Sequence, residues 1–208
     1  MAFRLSGEHR AIREAVRDFG QNEIRPVARE HDEERSYPAD LRRKAAAVDL
    51  VGPHIPEKYG GPEMDPLGTT IVTEELWRAD PGIGSAIGSA AFGTSMLIEY
   101  GDEWMKEEWL PRIAAGEAVS ASAISEPAHG SNVAGMETRA EWHDDEWVID
   151  GNKMWITNGT VADIALVFAK TDPDAGRKGL SAFLVPTDTP GFSAEQIDNK
   201  LGIHASDL

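Results

Sequence analysis

At 208 residues the chain can bury one large core or two small ones, and its 41% hydrophobic content is ordinary for a soluble globular protein. The lack of cysteine excludes disulfides, thiolate zinc sites and cysteine nucleophiles, and the six histidines include no i,i+4 pair that would suggest a metal site. A net charge of −16, dispersed along the chain and carried with only 7 lysines, disfavours nucleic acid and anionic membrane as partners and suggests a salt-rich cytoplasm in which screening relieves self-repulsion.

The first ten residues lack an apolar run, so they do not read as a secretory leader, and the expected location is cytoplasmic. Ser6 can cap a helix with apolar positions Ile12, Val16 and Phe19, continuing to Ile24 and Val27, which Pro26 should kink or divide. The charge run at 30–35 reads as a solvated face. Pro38 suits the first position of a second helix carrying Leu41, Ala45 and Val48. Residues 52–66 form a Gly/Pro-rich loop, and Asp65-Pro66 is a cap and first-turn proline opening a helix through Trp77. Residues 81–100 read as one nearly uncharged helix of small residues. Its Gly and Ser content fits close packing inside a bundle better than a membrane span. Asp102 then caps a short helix containing Trp104, Trp109 and Leu110.

After Gly116 the period changes to alternation. Strands are expected at 118–125, 136–142, 146–150, 153–157, 162–170, 180–186 and 192–197, separated by clusters of Gly, Asn, Asp and Pro. The fold expectation is therefore α+β. An all-helical bundle over 1–117 is followed by a small antiparallel β-barrel over 118–208.

Three segments could carry chemistry. Gly82 to Gly88 nearly matches a dinucleotide loop, but it follows a helix and a turn, and the mechanism needs a strand–turn–helix context, so it is rejected. Ile124-Ser125-Glu126-Pro127 leads into Gly130 and Ser131, where small residues and hydroxyls let backbone amides approach a phosphate or ring edge; alone it reads equally as a common turn. In Trp155-Ile156-Thr157 an aromatic ring and a hydroxyl would share one strand face, suited to stacking on a planar cofactor and bonding its edge; alone it reads as a core Trp beside a strand Thr.

Taken together and in order, AISEPAHGSNVAG (123–135) and GNKMWITNG (151–159) resemble the flavin-binding middle domain of acyl-CoA dehydrogenases. The second segment matches fully. The first keeps Ser125, Glu126, Pro127, Gly130 and Ser131 and departs at His129 and Asn132. The likeness extends to LSGEHRAIREAVRDFGQNEIRP, IPEKYGG (55–61), TEELWRAD (73–80), WLPRIAAGE (109–117) and the ending NKLGIHASDL. The resemblance implies FAD as cofactor, with Ser122 at the start of the flavin segment and Ile124 and Ser125 on the pyrimidine edge. It puts Trp155 against the ring and Thr157 near N5, counts Ile156 and Gly130 among the cofactor-binding residues, and sets Ser131 where flavin meets the thioester arm of the substrate. It implies α,β-dehydrogenation of an acyl-CoA, electron delivery to an electron-transfer flavoprotein, and a homo-oligomer, tetrameric in the complete family member. The family's catalytic base belongs to a C-terminal helical domain that this sequence does not contain. No catalytic residue is therefore expected here, and the isolated chain is expected to be inactive. Alternatives are a flavin- or acyl-CoA-binding half that pairs with a separate C-terminal subunit, and a related flavin oxidase or monooxygenase.

Overall fold

A computed structural model describes residues 4–208; Met1–Phe3, part of the segment read above for a leader, lie outside the described residues. The Ser6 hydroxyl accepts the His9 amide at 3.1 Å and starts helix α1 (Gly7–Phe19), which runs on through a π-helical turn, Gly20–Ile24. The chain breaks around Pro26, which has no amide to continue the ladder, and α2 (Ala28–Glu34) buries none of its charged residues. Pro38 stands just before α3 (Ala39–Ala46) and not at its first residue. The Asp65 carboxylate accepts the Gly68 amide at 2.6 Å and opens α4 (Pro66–Ala79).

The single helix expected over 81–100 is two, α5 (Pro81–Gly88) and α6 (Thr94–Tyr100), with Gly93 between them at φ +86°. Contacts with a distant residue accompany the break. The carbonyl of Ala90 accepts the Ser120 amide at 2.8 Å, and that of Phe92 accepts the Ser120 hydroxyl at 2.6 Å. Among the described residues no helix is long and apolar enough to cross a membrane. In α7 (Glu103–Ala114), Asp102 accepts the Met105 amide through its backbone carbonyl and not through its side chain.

The second half is a five-stranded sheet of β1 (Ser120–Ala123), β2 (Arg139–His143), β3 (Glu146–Asp150), β4 (Ile164–Lys170) and β5 (Leu180–Pro186). The α+β class holds, but the antiparallel barrel does not: β1 and β2 both run parallel to β4, only β2–β3 and β4–β5 are antiparallel, and the sheet stays open. Parallel pairing of β1 with β4 follows from the long excursion between them, which carries the hairpin β2–β3. The strands expected at 153–157 and 192–197 are absent. Their backbone donors go elsewhere, with the Met154 amide bonding Ser125 and the Ile197 amide bonding Leu208.

The larger core joins Ile24, Leu76, Ile83, Ile87 and Leu110 of the helices to Ile164 of β4 and Ala205 near the end of the chain. A smaller one lies behind the sheet around Val119, Ala121, Ala165 and Val167. At the junction, the buried guanidinium of Arg42 donates to the carbonyls of Gly116 (2.7 Å) and Ala118 (3.4 Å), fixing where the last helix hands over to the first strand.

Candidate functional site

The two segments singled out in the sequence lie side by side. The Met154 amide donates to the Ser125 carbonyl at 2.9 Å, and the Lys153 ammonium donates to the Ile124 carbonyl at 3.2 Å. Together these bonds place Ile124-Ser125 against the start of the Trp155 loop. Ser122 lies in β1, paired with Leu166.

The loop itself is not the strand expected. Trp155 has φ +64° and Asn158 φ +68°, and residues 157–161 form a turn. Trp155 and Thr157 therefore do not share a strand face. A left-handed backbone at a bulky aromatic is costly and persists only where surrounding bonds over-determine it. Here those bonds pin the loop at both ends, and between them Trp155 is 56% exposed. An indole turned outward on a pinned backbone is available for stacking and does not fill a core.

Glu126 and Lys153 anchor the first end. Glu126 is buried, and its carboxylate accepts the Thr138 hydroxyl at 2.5 Å, the Glu137 amide at 2.5 Å, the Thr138 amide at 2.9 Å and the Lys153 ammonium at 2.9 Å. Burial pushes this carboxyl upward, but the bonds from Thr138, Glu137 and Lys153 outweigh it and hold it at about 2. Burial likewise draws the Lys153 ammonium below its ordinary value, against the upward pull of Glu126. Asn158 anchors the second end. Fully buried, it donates to the carbonyls of Ser89 (2.8 Å) and Ser120 (3.1 Å), tying the loop to the α5–α6 break and to β1.

Gly130 and Ser131 lie in the loop after Glu126, closed by mutual backbone bonds between Glu126 and His129. No hydrogen bond joins them to the Trp155 loop. His129 and Asn132, the two departures from the family pattern, pack together over Gly135. A side chain at Gly135 would come within 2.4 Å of the Asn132 amide nitrogen and 2.7 Å of the His129 ring. Behind the Glu126 anchor opens a cleft of about 610 Å³, lined by residues that include Met136, Thr138, Arg139, Asp150 and Lys170. The sequence reading singled out neither Lys153 nor Asn158 nor Asp207 as site residues. Lys153 and Asn158 stand inside the GNKMWITNG segment, where a lysine amid apolar neighbours and an Asn-Gly pair are signals for a buried ion pair and a left-handed turn. Asp207 has no local signal.

The donor set suits a flavin. An outward indole stands one residue past the Met154–Ser125 bond, with the hydroxyls of Ser122 and Ser125 at and just past the end of β1 and that of Thr157 two residues beyond the ring. No group of three or more His, Asp or Glu side chains placed to hold a metal occurs among the described residues.

Comparison with known proteins agrees. Residues 6–117 match the N-terminal domain of acyl-CoA dehydrogenases, and residues 121–208 match the middle domain. The chain is 40% identical over 204 residues to the probable acyl-CoA dehydrogenase FadE25 of Mycobacterium tuberculosis, covering 98% of this chain and 52% of that protein. Its structure superposes on a glutaryl-CoA dehydrogenase from Mycobacterium smegmatis in complex with FADH2, with a TM-score of 0.91 and 37% identity over 98% of this chain and 51% of that one. It superposes also on a chain from the solved electron transferring flavoprotein of Acidaminococcus fermentans, with a TM-score of 0.94 and 31% identity over all of this chain and 55% of that one. The chain thus spans about half the length of the relatives it matches. With both halves of the sequence matched and the two motif segments adjacent in space, the chain belongs to the acyl-CoA dehydrogenase family, whose cofactor is FAD.

Proposed function

We propose that this chain forms the N-terminal (1–117) and middle (118–208) domains of an FAD-dependent acyl-CoA dehydrogenase, and that Ser122, Ile124, Ser125, Trp155, Ile156 and Thr157 form its flavin face. The observation that carries the reading is the Met154–Ser125 backbone bond at 2.9 Å, which sets the outward, left-handed Trp155 beside the hydroxyl-rich end of β1. FAD, when bound, supplies the electron sink for the β-hydrogen of an acyl-CoA thioester while the α-proton leaves to a base. This chain's part is placement. Trp155 offers a stacking surface, Ile124 and Ser125 an edge of backbone groups, and Thr157 a hydroxyl; Gly130 and Ser131 lie where the thioester arm would pass. A smaller cleft of about 240 Å³, lined by residues that include His54, Thr69, Val72 and Phe92, lies in the helical half.

The carboxylates in hand are poor bases. Glu126 is saturated with donors and held at about 2, and Glu75 is buried beneath arginines. A base must reach its proton and be basic enough to take it. This supports a chain that holds flavin and acyl-CoA while another segment or subunit supplies the base. The exposed Phe92, Met96, Tyr100 and Trp104, on and beside α6, favour a covering partner of that kind. An electron-transfer flavoprotein as acceptor, and a homo-oligomeric assembly, belong to the same proposal.

The test is FAD titration of the purified chain, followed by quenching of flavin fluorescence, with wild type and Trp155→Ala compared. The expected result is saturable binding near one flavin per chain, weakened about tenfold in the variant, as loss of one aromatic stacking contact implies. Equal affinity in the two proteins would refute the assignment of the flavin face.

A further inference from the structure

The Trp155 loop is held from a third direction, and the holder comes from the far end of the sequence. Asp207 is buried, and its carboxylate accepts the Thr160 amide at 2.8 Å and the Thr160 hydroxyl at 2.7 Å, while its backbone carbonyl accepts the Asn158 amide at 3.2 Å. A buried carboxylate whose oxygens are both given to neutral donors is expensive unless those bonds fix something. What they fix is the turn over 157–161 that closes the Trp155 loop and contains the left-handed Asn158.

The segment carrying Asp207 is itself braced. The Arg35 guanidinium donates to the Asp198 carbonyl at 2.5 Å, His204 pairs with Asp32 of α2 at 3.0 Å, and the Lys200 ammonium bonds the carbonyls of Ile203 (3.1 Å) and Ser206. Ala205 lies directly on the backbone of α5, where a side chain at Gly82 would come within 3.2 Å of the Ala205 methyl. Residues 197–208 thus form a strut, footed on α2 and laid across α5, with Asp207 at its tip.

We propose that Asp207 is a positioning residue for the flavin face: acting through Thr160, it sets the geometry in which the 155–160 loop presents Trp155 and Thr157. The proposal rests on the flavin reading above and adds to it a residue about fifty positions from the motif it serves. Asp207 does not touch the ligand. Its effect is on the fraction of time the loop stays in the binding geometry, so removing it raises the apparent dissociation constant without removing a contact.

Three variants of the full chain test this, with amide hydrogen exchange as a readout independent of flavin. Asp207→Ala removes both side-chain acceptors. Asp207→Asn keeps the shape, since its carbonyl can accept the Thr160 amide and its NH2 can donate to the Thr160 hydroxyl oxygen. Asp65→Ala removes the α4 cap and serves as a control for general loss of stability. Asp207→Ala is expected to speed exchange at 156–160 and to weaken FAD binding, each by about tenfold, as loss of one to two hydrogen bonds implies. Asp207→Asn should return both to within about threefold of wild type, and exchange in β4 should stay unchanged. The proposal is overturned if Asp207→Ala leaves exchange at 156–160 unaltered. It is overturned equally if Asp65→Ala, at a matched drop in melting temperature, weakens FAD as much. A Trp155→Ala chain that binds FAD normally sinks the flavin reading and the proposal with it. A damaging Trp155→Ala beside a harmless Asp207→Ala sinks the proposal alone.

Discussion

Two glutamates are buried among the described residues, one in each half, and they are neutralised by different means. Glu75 on α4 is 3% exposed and faces three guanidiniums: Arg17 at 2.6 Å, Arg13 at 3.6 Å and Arg78 at 3.9 Å. Glu126, at the entry to the candidate site, is 5% exposed and takes two backbone amides, one hydroxyl and one lysine. Both carboxyls are held below the ordinary carboxylate range, Glu75 chiefly by its bonds from Arg17 and Glu126 by the combined donors that overcome burial. The arginines around Glu75 are long side chains with their own access to water, so their contribution is adjustable and screened by salt. Two of the four donors around Glu126 are backbone amides and a third is the hydroxyl of the short Thr138 side chain. They specify a geometry, which is what a loop carrying Ser125 against Trp155 requires. The helical half uses its buried acid to join α1 to α4; the sheet half uses its own to shape a site.

Breaking the Glu126 cluster should give the largest effect. Glu126→Ala leaves the largely buried Lys153 without its carboxylate partner and strips acceptors from Glu137 and Thr138, at an expected cost of about 3–5 kcal/mol in urea unfolding. Because the folded carboxyl is depressed from 4.5 to about 2, its contribution is fully present above pH 4.5 and is lost as pH falls toward 2. Wild type should therefore lose on the order of 3 kcal/mol more over that interval than Glu126→Gln does. Parallel acid profiles for the two proteins would show that the carboxylate charge contributes nothing.

The second anchor of the same loop sharpens the contrast, since Asn158 does its work without charge. Asn158→Ala should cost about 2 kcal/mol, from its two donated bonds, a long third one accepted from the Ser89 hydroxyl, and a left-handed backbone that alanine adopts poorly, with no change between pH 5 and 8. Asn158→Gly restores the backbone freedom alone and should recover part of that loss. If glycine is no better than alanine by chemical denaturation, the bonds to Ser89 and Ser120 carry the whole effect.

Ser6 and Asp65 cap their helices as their local sequence implies, and alternation located β3, β4 and β5, because each of these signals is satisfied by near neighbours. The Trp155 loop alternates in the same way and yet is no strand. Its conformation is decided by Ser89, Ser120, Ser125 and Asp207, residues some thirty to seventy positions away. A residue pattern reports periodicity but not the partner of a backbone amide, so the ladder that Met154 forgoes for Ser125 was invisible, as was the parallel pairing of β1 with β4. The two candidate segments were legible because their resemblance carries the tertiary information that periodicity lacks.

The smallest expected effect comes from the adjustable side of the comparison. Arg17→Ala removes the nearest guanidinium from Glu75 but leaves Arg13 and Arg78 within reach, so the buried carboxylate keeps a counter-charge. The loss should be smaller than at Glu126 or Asn158, and it should depend on ionic strength. Raising salt from about 0.1 M to about 1 M shortens the screening length from about 10 Å to about 3 Å and should bring the variant's melting temperature toward that of wild type. The same salt relieves the self-repulsion of a chain carrying −16, so both proteins should gain stability together while the gap between them narrows. Glu126→Ala is the internal reference for that measurement. Its deficit arises from unpaired amides and a largely buried ammonium, which mobile ions reach poorly, and it should persist at high salt. A gap at Arg17 that also persists would mean that Glu75 is held by the geometry of its bonds, as Glu126 is, and would erase the distinction between the two halves.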